Sequence, residues 1–140
     1  MLSIATIYLV VQTDVPSTRL IVTVAIATAT ALLFRWALSS IAQRNLGLAF
    51  SGIVPAQVVQ HGPYRYVRHP LYTAYSIFWL ACAFLTQSYL VGGLALAVVL
   101  LYVLAARTEE RDIMRSPLAP AYSSYRQRTG LLLPRITRKN

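Results

Sequence analysis

Long stretches without charge dominate the pattern of this 140-residue chain, and the longest covers residues 70–106. A single helix of that length would reach roughly 55 Å, whereas the apolar core of a bilayer is about 30 Å thick. The pattern therefore predicts two membrane helices that form a tight hairpin. We place the break at residues 86–89, Thr-Gln-Ser-Tyr, with Gly92 and Gly93 just beyond.

The N-terminal part of the chain is also apolar but has one polar interruption. Residues 1–12 are either a brief first span or a truncated helix, and a polar break with Asp14 and Pro16 follows. The charge-free residues 20–34 predict a second span, whose helix we expect to continue through Arg35 to about Ile41. The chain is thus predicted to be an all-α integral membrane protein with about four transmembrane helices.

Composition agrees with a membrane protein. The chain is 56% hydrophobic and only 12% charged, whereas soluble domains carry about 25% charged residues. The net charge of +9 comes without any nucleic-acid-binding motif, so we expect membrane lipids as partners and no nucleic acid. Cys82 is the only cysteine, and His61 and His69 lack metal spacing, so no metal site is predicted.

The basic residues predict how the chain is oriented. If the C-terminal tail is cytoplasmic, all of the 13 basic residues except Arg19 lie on or near the cytoplasmic side, as the positive-inside rule requires. Both termini are then cytoplasmic. We divide this single domain, residues 1–140, into N-terminal spans (1–34), a cytoplasmic-side connecting segment (35–69), a helical hairpin (70–106) and a cytoplasmic C-terminal tail (107–140).

The first turn of the hairpin carries the most distinctive polar residues. Pro70 favours a helix start, whose free N–H groups can bind an anion beside Arg68 and His69. The alternative is a helix start with ordinary interfacial side chains. Tyr72 and Tyr75 share a helix face and could line a pocket, although tyrosine also concentrates at membrane interfaces.

Glu109 and Glu110 follow the second half of the hairpin. Acidic residues near the C-terminal end of a helix oppose its dipole, and the whole chain has only four acidic residues. Either Arg107 and Arg111 neutralise the pair, or one glutamate receives a cationic or hydrogen-bond-donating ligand.

Two arginines are candidates for binding an acceptor. Arg35 falls within the second long span or at its edge, where a buried arginine costs at least about 2.5 kcal/mol. It therefore either faces a cavity or partner, or extends to the interface. Arg44 is an interfacial arginine or, alternatively, a ligand-binding one.

Three motifs in order resemble the isoprenylcysteine carboxyl methyltransferase family of membrane enzymes, which is related to the phospholipid methyltransferases. Residues 62–73, Gly-Pro-Tyr-Arg-Tyr-Val-Arg-His-Pro-Leu-Tyr-Thr, resemble the family's Arg-His-Pro-x-Tyr-x-Gly motif with its lead-in. The glutamate pair is the second motif, and residues 122–128, Tyr-Ser-Ser-Tyr-Arg-Gln-Arg, with Pro134 are the third. The resemblance covers about residues 35–136, and it departs from the family where Ala74 replaces the closing glycine.

The resemblance implies a methyltransferase that uses S-adenosylmethionine and has no soluble Rossmann domain. Arg68, His69 and Tyr72 would hold polar groups of the cofactor, and the glutamates would bind its amino-acid or ribose end. A lipophilic, membrane-embedded acceptor would enter from the bilayer. The residues implied in cofactor binding are Val58, Val59, Gly62, Tyr64, Arg68, His69, Pro70, Tyr72, Glu109 and Glu110.

The chemistry of the acceptor can be narrowed by what it demands of the protein. A carboxylate is already ionised at pH 7 and needs no general base, so Arg35 or Arg44 would suffice to orient it. This favours a carboxylate over an amine, and the resemblance implies that the carboxylate is isoprenylcysteine-like. The alternatives are phospholipid N-methylation and an enzyme related to the sterol reductases, which use a nicotinamide cofactor. A small four-span transporter or assembly subunit is a further alternative. A cation transporter, however, would carry an acidic residue inside a span, and residues 20–106 contain none.

Overall fold

The computed structural model describes residues 16–42 and 57–135, and this part of the chain is helical. Apart from an isolated parallel bridge between Val67 and Gly130, the described residues contain no β-structure. The predicted all-α class is confirmed for them. The elements are α1 (Ser17–Ala42), a short 3-10 helix (Gly62–Arg65), α2 (Pro70–Thr86), α3 (Tyr89–Met114) and α4 (Ala119–Arg128).

Two of the described helices are long and apolar enough to cross a membrane. Helices α1 and α3 each have 26 residues, whereas α2 is apolar but shorter. A large exposed apolar surface on both long helices suits contact with lipid. Residues 1–12 lie outside the described part, so the number of spans and their orientation remain predictions. The exposed apolar side chains include Leu20, Ile21, Val24 and Leu32 on α1 and Leu94, Leu96, Leu100 and Leu104 on α3.

The predicted break in the hairpin is confirmed. Helix α2 ends at Thr86 with Gln87 in the left-handed conformation, φ 51°, a common way to end a helix. Ser88 then caps α3 by accepting a hydrogen bond from the backbone N–H of Val91. Helix α3 continues past the charge-free run to Met114, so both glutamates lie on the helix itself.

The end of α1 packs against the start of α2 and the 3-10 helix. As expected, α1 continues through Arg35, and its last turns contribute Ala37 and Ile41 to a core with Leu71. Gly62 has φ +59°, and a Cβ there would lie 2.2 Å from Ser40 Oγ. Only glycine allows this close approach, which holds the 3-10 helix in place just before the first turn of α2.

Candidate cofactor site at the charged end of the hairpin

The segment after α4 closes over the beginning of α2. The backbone N–H groups of Arg68 and His69 donate to the carbonyls of Gly130 and Leu131, at 2.9 and 3.1 Å. The Thr73 hydroxyl donates to the carbonyl of Leu132 at 2.7 Å. These bonds bring the C-terminal segment to the polar residues that surround Pro70.

Arg68 and Glu110 form a buried ion pair beneath this segment. Arg68 Nε lies 2.5 Å from Glu110 Oε1, and the two side chains are only 9% and 6% exposed. Arg68 Nη1 also donates to the carbonyls of Thr129 and Arg126. A buried ion pair is tolerated when such additional hydrogen bonds satisfy its polar atoms.

Helix α4 adds two tyrosines to this region. The Tyr122 hydroxyl donates to Glu110 Oε1 at 3.1 Å, and the Tyr125 hydroxyl donates to the carbonyl of Tyr64 at 2.6 Å. Burial raises the pKa of Tyr125 to about 12 and also raises the pKa of Tyr122, so both phenols remain protonated donors at neutral pH. We call Arg68, Glu110 and Tyr122, with the carbonyls that Arg68 binds, the Glu110 network.

Glu109 lies in a different environment on the same helix. It accepts a hydrogen bond from the Tyr72 hydroxyl through Oε1, and its Oε2 lies 3.5 Å from His69 Nδ1. Its side chain is 35% exposed. His69 Nε2 is buried without a well-formed hydrogen bond, 3.5 Å from Glu110 Oε1. We call His69, Tyr72 and Glu109 the Glu109 group.

A column of stacked rings connects the Glu109 group to the apolar part of the hairpin. His69 stacks on Tyr72 with ring centroids 5.6 Å apart, and Tyr72 stacks on Tyr102 at 5.4 Å. Tyr102 in turn stacks on Tyr75 at 5.7 Å, and Phe34 of α1 contacts Tyr75 at 5.3 Å. The column therefore joins α1, α2 and α3 and fixes the orientation of the Tyr72 ring.

The structure brings together five of the residues that the sequence predicted for the cofactor: Arg68, His69, Tyr72, Glu109 and Glu110. Pro70 begins α2 and is buried. The other predicted residues lie before α2: Gly62 and Tyr64 are in the 3-10 helix, and Val58 and Val59 are half-buried in the loop that precedes it.

Of the two predicted acceptor residues, the structure describes Arg35 alone. Arg35 is exposed on α1 and makes none of the contacts described above. Arg44 lies outside the described residues. Both roles therefore remain predictions.

Three residues that contribute to the site were not predicted from the sequence. Tyr102 lies two helical turns before Glu109, a spacing that puts both on one helix face, and this signal could have identified it. Tyr122 lies in the quoted C-terminal motif, although no role followed from the motif alone. Thr129 contributes through its backbone carbonyl, which no pattern of side chains reveals.

Comparison with known proteins agrees with this architecture. Residues 18–119 match the family described as phospholipid methyltransferase. The chain is 33% identical over 101 residues to the cobalt-zinc-cadmium resistance protein CzcN of Cupriavidus metallidurans, which is 71% of this chain and 46% of that protein. It is 32% identical over 91 residues to the nickel-cobalt-cadmium resistance protein NccN of Alcaligenes xylosoxydans xylosoxydans, which is 64% of this chain and 42% of that protein.

A further relative is named for its reaction. The chain is 35% identical over 72 residues to the methanethiol S-methyltransferase of a Pseudomonas species, which is 51% of this chain and 26% of that protein. The chain thus spans less than half the length of these curated relatives. No solved structure matches the chain. Because the family match extends from α1 to the start of α4, this chain belongs to the phospholipid methyltransferase family.

Proposed function

We propose that this chain transfers a methyl group from S-adenosylmethionine to a lipophilic acceptor at a membrane surface. The observation that carries the proposal is the Glu109 group. It combines a partly exposed carboxylate with a histidine and a tyrosine at the charged end of an apolar hairpin. Membership of the phospholipid methyltransferase family and the similarity to a methanethiol S-methyltransferase support methyl transfer.

The Glu109 group has donor and acceptor atoms that fit the polar end of this cofactor. Glu109 Oε2 has no tight partner among the described residues and would accept hydrogen bonds from an ammonium or from ribose hydroxyls. His69 Nε2, buried without a well-formed hydrogen bond, offers a second polar contact. When bound, the cofactor supplies the activated methyl group.

The Glu110 network would support the site without holding the cofactor directly. Arg68 and Glu110 already satisfy each other, and Tyr122 and backbone carbonyls complete their hydrogen bonds. The Arg126 guanidinium and His69 Nε2 lie farther away, 3.6 and 3.5 Å from the Glu110 carboxylate. This network fixes the start of α2 against the C-terminal segment. We therefore assign cofactor contact to the Glu109 group and the positioning of that group to the Glu110 network.

The acceptor that best fits the proposal is an isoprenylcysteine-like carboxylate. Methyl transfer mainly requires that donor and acceptor are aligned and that water is excluded. A carboxylate is ionised at pH 7, so no group has to remove a proton. The exposed apolar surfaces of α1 and α3 are compatible with an acceptor that arrives from the bilayer.

A thiol is a second candidate acceptor, because one relative is named methanethiol S-methyltransferase. A thiol attacks as its thiolate, and even a cysteine thiol has a pKa of about 8.5, so a thiol acceptor needs more help from a base than a carboxylate does. A phospholipid amine, which the family description suggests, would have to lose a proton first.

The test is a product analysis with the purified chain in lipid vesicles. Labelled S-adenosylmethionine is supplied with a prenylcysteine, an alkyl thiol or phosphatidylethanolamine. We expect a methyl ester, whose label is released as methanol by base, whereas a thioether or a methylated amine keeps its label. If the thiol or the amine is labelled and the prenylcysteine is not, the labelled compound takes the place of the carboxylate as the acceptor. If none of the three compounds is labelled, the proposed activity is wrong.

The same assay tests the proposed orientation of the acceptor by Arg35 or Arg44. If either arginine binds the carboxylate mainly in the transition state, its change to Ala lowers kcat and kcat/KM together. We expect a loss of about tenfold or more, since a charged hydrogen bond is worth about 1.5–3 kcal/mol. Arg19→Ala, at the opposite end of α1, is the matched control. Unchanged kinetics in both single variants would exclude this role.

A further inference from the structure

Three arginines lie along one side of the C-terminal end of α3, and the last of them is the C-cap of the helix. Arg107, Arg111 and Arg115 follow each other at four-residue intervals, so their side chains are neighbours on the helix surface. All three are exposed, and none of their guanidinium groups forms an ion pair or hydrogen bond with the described residues. Cations suit the C-terminal end of a helix dipole, but like charges at this spacing repel one another, and an anion between them would reduce that repulsion.

These arginines line an open cleft that α4 completes. Arg126 of α4 contributes a fourth guanidinium group. The single carboxylate in the lining is Glu110, and it is already bound to Arg68 at 2.5 Å and lies 3.6 Å from Arg126. The cleft therefore has a strong excess of positive charge. It has a volume of about 610 Å³ and is lined by Arg107, Glu110, Arg111, Met114, Arg115 and Arg126.

The position of this arginine cleft relative to the apolar part of α3 indicates the class of ligand. The charge-free run ends at residue 106, and the cleft begins at the next residue. That boundary corresponds to the headgroup level of a bilayer, where basic residues attract anionic lipids. The planar guanidinium group of arginine can donate two parallel hydrogen bonds to phosphate oxygens. Met114 adds an apolar contact to the lining.

We propose that the arginine cleft binds the phosphate of an anionic phospholipid headgroup, as a site distinct from the one proposed for methyl transfer. The cofactor is a poor occupant because its sulfonium and ammonium groups are cations, which four arginines repel. A bound headgroup would offset the repulsion among the arginines. It would also connect α3 to α4, and thereby stabilise the segment that closes over Pro70.

The experiment compares ligands on the purified full chain in neutral detergent. Short-chain phosphatidylglycerol, short-chain phosphatidylcholine and inorganic phosphate are titrated separately, with affinity and thermal unfolding as the readouts. We expect the anionic lipid to bind more tightly and to raise the unfolding temperature most.

Each arginine near an anionic headgroup contributes about fivefold in affinity, so Arg111→Gln combined with Arg115→Gln should weaken this binding roughly thirtyfold. Arg128→Gln removes one charge from α4 outside the cleft and should leave the affinity nearly unchanged.

If the double variant does not fold, the ligand titrations on the parent chain still test the proposal. Equal stabilisation by the two lipids would overturn it, and so would inorganic phosphate that binds as tightly as the anionic lipid. A folded double variant that retains the parent's affinity for phosphatidylglycerol would overturn it as well.

Titration with S-adenosylhomocysteine separates this proposal from the proposed function. The double variant should bind this compound as the parent does. A loss of that binding with lipid affinity unchanged would assign the cleft to the cofactor and overturn the lipid proposal. Failure of the parent to bind S-adenosylhomocysteine would count against methyl transfer and leave the preference for anionic lipid standing.

Discussion

Glu109 and Glu110 are neighbours in sequence but have opposite environments. Adjacent residues on a helix point about 100° apart. Glu110 consequently turns inward and is only 6% exposed, with Arg68 and Tyr122 as partners. Glu109 is 35% exposed, with Tyr72 and His69 nearby.

From this difference we infer a stabilising role for Glu110 and a binding role for Glu109. A ligand that took Glu110 or Arg68 would first have to displace internal partners, and each displaced group would be left buried and unsatisfied. A ligand at Glu109 displaces little. The comparison therefore predicts that substitutions in the Glu110 network reduce stability, whereas substitutions in the Glu109 group reduce affinity for the cofactor.

The largest effect is expected for Glu110→Gln. The substitution keeps the size of the side chain but leaves the Arg68 guanidinium buried without its counter-charge. We expect the free energy of unfolding to fall by about 3–5 kcal/mol, measured by denaturant unfolding in detergent. Glu109→Gln is the matched control, with an expected loss of less than about 1 kcal/mol. Equal losses of stability in the two variants would contradict the conclusion that Glu110 stabilises the fold more than Glu109 does.

A smaller effect is expected for Tyr125→Phe, which removes the hydrogen bond to the Tyr64 carbonyl. The loss should be about 1 kcal/mol, and Tyr66→Phe at an exposed tyrosine is the control. The pKa of Tyr125 is raised to about 12 in the folded chain, from about 10 in unfolded chains. Its contribution is therefore fully present below pH 10 and is lost as the pH rises through 12. The variant should lose less stability than the parent across that interval, and parallel pH profiles would contradict the assignment.

The smallest effect is expected for Arg126→Gln at the exposed edge of the Glu110 network. Arg126 Nε lies 3.6 Å from Glu110 Oε2, and its side chain is 55% exposed. Exposed ion pairs typically contribute about 0.2–1 kcal/mol, so in low salt the free energy of unfolding of the variant should lie within about 1 kcal/mol of that of the parent. A loss of stability as large as that of Glu110→Gln would show that the Glu110 network depends on the Arg126 guanidinium.

Much of the helical framework could be predicted because it depends on local patterns. The length of residues 70–106 required a break, and the polar residues around Gln87 and Ser88 were the best place for it within that run. Pro70 likewise marked the start of α2. Membrane thickness limits the length of one helix, and proline favours the first turn of a helix. Both effects can be read from the sequence alone, so the break and the start of α2 could be predicted.

The different environments of the two glutamates could not be predicted. Both were expected to bind the cofactor, as was Arg68, because sequence spacing shows only that the two clusters can meet across a hairpin. Tyr122 donates a hydrogen bond to Glu110, and the Thr129 carbonyl accepts one from Arg68, the ion-pair partner of Glu110. Their positions depend on how the segment after α4 pairs with residues 67–69, a long-range contact that leaves no local signal.

The central claim is that Glu109 contacts the cofactor. Calorimetric titration of S-adenosylhomocysteine into the parent chain and into Glu109→Gln, both in the same detergent, tests it most directly. We predict that the parent binds and that the folded variant binds about tenfold or more weakly, which corresponds to the loss of one charged hydrogen bond. A folded Glu109→Gln variant with the affinity of the parent would contradict the claim.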